Sequence, residues 1–143
     1  MRIVPAMLAA MLATMLTASC ATRPKEPPPK PFLGTKWVVV LELPVAGEQP
    51  WFRFGDGRME GFGGCNRVTS RYVEDTVGSR FIAIGRINGG VKGCDAGTQA
   101  AEARVLEVLQ AVSSYTIVVD TMTMSGSGGA LHLRSDPPAE IPK

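Results

Sequence analysis

The sequence has few of the side chains on which catalysis and metal binding most often depend. It contains one histidine, His132, and three cysteines, Cys20, Cys65 and Cys94, with no CxxC pair. The serines have no second histidine with which to build a triad, and His132 alternates with two leucines, which predicts a solvent-facing position. A cysteine nucleophile and a metal ligand are the less favoured alternatives. The sequence therefore predicts a protein that is not an enzyme and has no metal or cofactor.

Neither sign of charge dominates the chain. There are 15 Lys and Arg against 13 Asp and Glu, and from Thr35 to Arg134 the numbers are 10 and 10. Because nucleic-acid binding depends on clustered positive charge, the composition argues against a nucleic-acid partner. Proline is absent from 86 consecutive residues between Trp51 and Asp136. With 143 residues in all, the chain is long enough for one domain and too short for two with separate cores.

The N-terminus is typical of an exported lipoprotein. Arg2 precedes a nearly uncharged stretch from Ile3 to Ser19, which is shorter than the ~20 apolar residues of a transmembrane helix. Residues 16–20, LTASC, resemble the bacterial lipobox, although threonine stands at position 17 where that pattern usually has Leu, Val or Ile. We expect residues 1–19 to be a lipoprotein signal peptide and Cys20 to carry the lipid. Simple cleavage near Ala21 without lipid is the alternative.

The next segment predicts a tether between the lipid and the folded domain. Residues 20–34 contain five prolines and four charged residues, a composition that favours an extended polyproline chain over a core. In the usual sorting rule for such lipoproteins, Ala21 after the cysteine favours the outer membrane, with the domain facing the periplasm. The folded domain is expected over residues 35–135, followed by a disordered tail at 136–143.

The body predicts a mainly β, α+β fold with about eight short antiparallel strands and one amphipathic helix. The strands are expected at 36–43, 51–54, 58–62, 67–73, 80–87, 114–119, 122–125 and 130–134. The 3.6-residue period appears only in residues 97–112, where Asp95 or Thr98 can cap the helix. Since one helix cannot connect a series of parallel strands, we expect a small barrel-like sheet with the helix plugging or covering it.

The cysteine count becomes even if Cys20 is lipidated. Cys65 and Cys94 then remain as a pair in an oxidising compartment, where a disulfide is expected. Closing this loop of about 30 residues would stabilise the fold by roughly 3.6 kcal/mol at most in the chain-entropy account.

A longer set of residues resembles a known family. The segment 56–66, DGRMEGFGGCN, is followed by Tyr72, Cys94 and Glu102, then by Val105, Leu106 and Leu109 and by the run 115–117. Together these are similar to the META domain, the HslJ-like heat-shock lipoprotein family, with Gly63, Gly64, Cys65 and Asn66 as the specific motif. The resemblance implies an antiparallel β fold with one helix and a disulfide. It also implies that the chain belongs among secreted or envelope proteins that are connected with stress, drug tolerance or virulence and have no known catalytic activity.

The glycines around Cys65 and a set of arginines each allow two interpretations. The glycines around Cys65 favour a tight bend over a phosphate loop, since a strand rather than a helix is expected to follow. Arginines 67, 71, 80 and 86 predict an outward row beside Glu60 and Glu74, either a solvated charged face or a site for an acidic partner.

The sequence is compatible with three functions. The favoured one is a non-catalytic, lipid-anchored envelope protein with a stress-related binding or protective role, whose protein or small-molecule ligand is unknown. The alternatives are a periplasmic inhibitor of a lytic enzyme, lysozyme or protease, and a hydrolase.

Overall fold

The computed structural model of the chain describes residues 25–43, 45–75 and 80–138. Within these ranges the chain forms nine strands and one helix in a single sheet system. The elements are β1 (Lys36–Val39), β2 (Trp51–Gly55), β3 (Arg58–Phe62), β4 (Arg67–Asp75), β5 (Phe81–Ile84), β6 (Asn88–Gly89), α1 (Ala96–Gln110), β7 (Val112–Val118), β8 (Thr121–Gly126) and β9 (Gly129–Asp136).

Eight of these strands form a closed antiparallel barrel. The order around it is β3, β2, β1, β9, β8, β7, β5 and β4, and pairing between β4 and β3 closes the ring. The short strand β6 pairs with the free edge of β4 at Val68 and Thr69. This confirms the small antiparallel barrel with one helix. The closing contact between β5 and β7 is short, with Phe81 opposite Ser114.

The alternation of side chains explains why these segments become barrel strands. In β9, Leu131, Leu133 and Ser135 are buried while the residues between them are exposed, as expected when successive side chains point to opposite faces. The other strands direct large apolar side chains into the same interior. Those without solvent exposure include Trp37, Phe52, Phe54, Met59, Ile82, Met122 and Met124. Side chains therefore fill the barrel interior.

The helix covers part of the barrel through a narrow apolar face. Asp95 is its N-cap and accepts a hydrogen bond from the backbone N–H of Thr98 at 3.0 Å. Val105, Val108 and Leu109 are the buried apolar residues of α1, and the helix packs against β5 and β9. Among the described residues, no helix combines the length and hydrophobicity needed to cross a membrane.

The packed domain includes residues that the sequence assigned to the tether. Phe32 is only 8% exposed, and its ring stacks on Phe54 at 4.6 Å and on Tyr115 at 4.5 Å between centroids. Gly34 N–H donates to the carbonyl of Phe54 at 2.9 Å. A lone aromatic residue after a proline-rich run gives no periodic signal, so the burial of Phe32 is not visible in the sequence.

The largest differences from the expected strands are at three places, and the other strand ends lie within two residues of expectation. β1 ends at Val39 rather than at residue 43, and β5 ends at Ile84 rather than at residue 87. The chain leaves β5 because the Gln110 side chain bonds to the carbonyls of Ile84 and Gly85. The two-residue strand β6 was not expected, since two residues carry no alternation.

Candidate functional site

The motif residues 63–66 form the connection between β3 and β4. Gly64 has a backbone φ of +117°, a conformation that only glycine adopts without strain. The N–H of Gly63 donates to the carbonyl of Asn66 at 2.8 Å, which closes the turn. The strand β4 follows directly, as expected for a tight bend rather than a phosphate loop.

The carboxylate of Glu102, a residue of α1, accepts hydrogen bonds from this turn. Its Oε2 accepts hydrogen bonds from the N–H groups of Cys65 at 2.9 Å and Asn66 at 2.7 Å. Its Oε1 accepts from Asn66 Nδ2 at 3.0 Å. A Cβ atom on Gly63 would lie 2.6 Å from Oε2, so glycine is needed for this close approach. The backbone donors that a phosphate would require are already bonded to the Glu102 carboxylate.

Cys65 and Cys94 form a disulfide with a Cα–Cα distance of 6.0 Å. The bond joins the motif turn to the residue that precedes the helix N-cap, Asp95. Neither sulfur is therefore available as a nucleophile in this state. Cys20, the expected lipid attachment site, lies outside the described residues.

The glycine-rich loop before Cys94 is held by Asn66. Lys92 N–H donates to Asn66 Oδ1 at 2.8 Å, and Asn66 Nδ2 lies 3.3 Å from the Lys92 carbonyl. Asn66 therefore bonds to both the loop and Glu102, and the motif orders the loop and the helix start together. The role of Glu102 was not evident from the sequence, in which this residue was one of those that match the family pattern.

The helix cap affects one titratable group. Hydrogen bonds from the Thr98 side chain and backbone N–H lower the pKa of Asp95 below its ordinary value. The carboxylate is the form that accepts these bonds, which explains the direction of the change.

Two tyrosines lie near Phe32, on the inward side of the barrel. Burial raises the pKa of Tyr115, and the negative charge of Glu74, which accepts from Tyr115 Oη at 3.2 Å, adds to the effect. Burial followed by the charge of Glu74 raises the pKa of Tyr72 in the same way. Both effects favour the neutral phenol over the phenolate. Glu74 lies beside these rings and is not part of an outward charged row.

The other residues considered for catalysis lie apart. His132 is exposed, and its Nδ1 lies 3.2 Å from Thr123 Oγ1. Glu60 forms an ion pair with Arg53 at 3.8 Å on the outer face of the barrel. In the part of the chain that the structure describes, no three His, Cys, Asp or Glu residues are grouped so that they could hold a metal ion.

A polar groove with three arginines lies on the outer face of β3 and β4. Its volume is about 680 Å³, and it is lined by the exposed side chains of Arg58, Arg71 and Arg86, together with Asp56, Asn88 and Thr69. We call this the arginine groove. Among the described residues, none of the three guanidinium groups has a carboxylate within salt-bridge distance.

The groove exists because the chain leaves the sheet between β5 and β6. On one edge of β4, β5 ends opposite Tyr72 and β6 begins opposite Thr69, so Arg71 faces the loop that joins them. Gly85 N–H donates to the Arg71 carbonyl at 2.8 Å. Beneath this contact the buried Ser70 hydroxyl donates to the Gly85 carbonyl at 2.9 Å.

The end of the helix also holds this loop. Gln110 Nε2 donates to the carbonyls of Ile84 and Gly85, both at 2.8 Å, and Gln110 Oε1 accepts from Ile87 N–H at 3.2 Å. These bonds fix the backbone on both sides of Arg86. The backbone that carries Arg71 and Arg86 is thus held by buried and helix-borne side chains.

The expected arginine row is only partly present. Arg71 and Arg86 are brought together, and Arg58 joins them from β3. Arg67 instead lies over the ring of Trp51 at 5.8 Å, where Arg53 at 5.8 Å and Lys36 at 5.2 Å also contact the ring. Arg80 precedes β5 and does not line the groove.

The chain is similar to known proteins over most of its length. A family model described as META domain matches residues 31–137. A protein from Burkholderia xenovorans solved by NMR aligns with a TM-score of 0.61 and 18% identity, covering 86% of this chain and 98% of that one. A crystal structure of a DUF4847 family protein from Bacteroides vulgatus aligns with a TM-score of 0.45 and 12% identity, over 66% and 61% of the two chains. No curated protein matches the sequence.

Proposed function

Because the chain belongs to the META domain family, we propose that it is a non-catalytic lipoprotein of the bacterial envelope with a stress-related binding or protective role. The lipid on Cys20 anchors it to the outer membrane, and the domain faces the periplasm. The export signal, the lipobox-like residues before Cys20 and the proline-rich segment after it support this placement.

The observation that carries the binding role is the contrast between the interior and the outer face of the barrel. The interior is occupied by large apolar side chains such as Trp37, Phe52 and Phe54, which have no solvent exposure. The outer face carries the arginine groove. A partner is therefore recognised on the outside of the barrel, and the groove is the surface best suited to it.

The positions of the titratable groups support a role without turnover. General acid/base or nucleophilic catalysis needs at least two such groups within hydrogen-bond reach of one substrate. His132, Glu60 and Glu74 lie on different strands, and each contacts a different partner. Cys65 and Cys94 are joined to each other.

Mass spectrometry of the protein isolated from membranes tests the anchor. We expect acyl chains on Cys20 as the first residue and partition into detergent, and we expect Cys20→Ser to lose both. An unmodified mature N-terminus beyond Cys20 would overturn the lipoprotein assignment.

Capture of partners from envelope extract tests the binding role. The full chain is compared with Arg71→Gln and with the matched control Arg134→Gln, because Arg134 is an exposed residue of β9 outside the groove. We expect a partner that the wild type and Arg134→Gln retain and Arg71→Gln loses. Recovery of a lytic enzyme whose activity is inhibited would replace the protective role by the inhibitor role.

Hydrolysis assays test the absence of turnover. We expect no activity on peptidoglycan, peptide or ester substrates, and we expect His132→Ala to leave stability and binding nearly unchanged. Activity that is lost in Glu60→Gln, Glu74→Gln or His132→Ala would contradict the assignment.

A further inference from the structure

We propose that the arginine groove binds a phosphate monoester dianion that carries an apolar substituent. The inference deepens the proposed function and rests on its claim that the outer face of the barrel is the binding surface. It adds the chemical class of the ligand and the residues that recognise it.

The charge of the groove fits a dianion. Its lining contains three guanidinium groups and one carboxylate, that of Asp56, a net charge of +2. A phosphate monoester carries about −1.5 to −2 at neutral pH. Arginine is always charged and presents planar N–H donors that bind phosphate oxygens in pairs. The Asn88 amide and the Thr69 hydroxyl of the lining can supply further polar contacts.

The strand register gives a second reason to expect a bound anion in the groove. Arg58 of β3 and Arg71 of β4 lie directly opposite each other in the antiparallel pair. Like charges at such positions destabilise a sheet. An anion between the two guanidinium groups would replace their repulsion by two attractions. The pair is thus unfavourable for the empty protein and favourable for the protein with a bound phosphate.

An apolar depression beside the groove indicates the rest of the ligand. Its volume is about 420 Å³, and Val73, Ala83 and Ile84 are among its lining residues. Arg71 and Gly85 belong to both lining sets. Val73 is 64% exposed, so apolar surface is available there. A ligand with its phosphate at Arg71 could place an apolar group across Gly85 against Val73 and Ala83.

The backbone beneath the groove is already ordered. Ser70 and Gln110 hold Gly85, and Gly85 is bonded to Arg71. Binding would therefore order the arginine side chains without also having to order the loop, which lowers the entropic cost.

The test is an NMR titration of the full-length protein in non-ionic detergent micelles. The probes are phenyl phosphate, methyl phosphate and methyl phenyl phosphate. Methyl phosphate keeps the dianion without the ring, and methyl phenyl phosphate keeps the ring with a single negative charge. We expect saturable shifts of the amides of Arg71, Gly85 and Asn88 with phenyl phosphate, and weaker binding of the other two probes.

Four variants distinguish the contributions of groove charge, groove shape and overall protein charge to binding. Arg58→Gln and Arg71→Gln should each weaken phenyl phosphate binding by about tenfold, the loss expected for one charge-assisted contact. Arg134→Gln removes the same charge from another strand and should have little effect. Gly55→Val leaves the charge unchanged but fills open space in the groove lining, so it should also weaken binding.

Thermal unfolding without ligand checks that the variants are folded. Because the repulsion between Arg58 and Arg71 is removed, neither glutamine variant should be less stable than the wild type. The proposal is overturned if phenyl phosphate causes no saturable shifts at the groove, if methyl phenyl phosphate binds as tightly, or if Arg71→Gln and Arg134→Gln lose equal affinity. Failure here would leave the proposed function intact if Cys20 is acylated and a partner is still captured through Arg71.

Discussion

Replacing Glu102 by alanine should destabilise the protein far more than its partly exposed position suggests. The side chain accepts three hydrogen bonds, from the N–H groups of Cys65 and Asn66 and from Asn66 Nδ2. These bonds connect residues that are 36 or 37 positions apart in the chain. Removal of the carboxylate therefore loosens the contact between the helix and the turn from β3 to β4.

The size of the loss follows from the donors that are left behind. A buried donor without a partner costs about 1–3 kcal/mol. Water can reach part of this site, because Glu102 is only partly buried. For three donors in a partly buried position we expect Glu102→Ala to lower the free energy of unfolding by about 2–4 kcal/mol. Glu102→Gln keeps one oxygen acceptor but turns an amide donor toward the site, so it should lie between the alanine variant and the wild type.

Urea unfolding of the disulfide-bonded protein, followed by circular dichroism, measures the effect. Glu107→Ala is the matched control, since Glu107 lies on the same helix and pairs with the exposed Arg104 at 3.0 Å. Such surface pairs contribute only about 0.3–0.5 kcal/mol. The midpoint should shift without a change in slope, because the compactness of the unfolded state is the same. If Glu102→Ala costs no more than Glu107→Ala, the Glu102 hydrogen bonds do not stabilise the turn and the reasoning is refuted.

Three further perturbations follow from the same contacts. Reduction of the disulfide should lower stability by up to about 3.6 kcal/mol for a separation of 29 residues while the barrel remains folded, and two free thiols in unreduced, unfolded protein would contradict the bond. The lowered pKa of Asp95 means that its stabilisation is present at neutral pH and is lost as the pH falls through that pKa; Asp95→Asn should flatten the acid limb of the stability curve, and an unchanged acid limb would exclude this role. Gly61→Ala would place a Cβ atom against the Trp51 carbonyl and 2.6 Å from Phe52 Cδ1, so thermal unfolding should show a loss of about 1–3 kcal/mol, whereas Gly55→Ala, which meets open space, should show much less.

The barrel strands were predictable because one of their faces is buried. In β4 and β9 the period of two is visible in the sequence, and burial follows the same period in the structure. The helix was predictable from its 3.6-residue period to within two residues at its C-terminus. Phe32 was not predictable, since its burial depends on the space between Phe54 and Tyr115, which are distant in sequence.

The motif turn and the arginine groove differ in how far they could be predicted from the sequence. The motif turn was recognised from its residues, but the hydrogen bonds to Glu102 depend on how the helix docks. The arginine groove was recognised only as a set of outward arginines. Arg58 was not included because its proximity to Arg71 is a matter of strand register. Arg67 and Arg80 were included on alternation alone, which does not show that the groove lies between the ends of β5 and β6.

The motif and the groove are connected through α1. Glu102 in the middle of the helix binds the turn that precedes β4, and Gln110 at its end binds the loop that carries Arg86. The disulfide to Cys94 fixes the residue before the helix cap relative to the same turn. One rigid helix therefore sets the distance between the start of β4 and the loop after β5, which are the two parts of the chain that flank Arg71. On this account the Gly-Gly-Cys-Asn motif has a structural role. It is the structural support that keeps the arginines of β4 and of the loop after β5 in one groove.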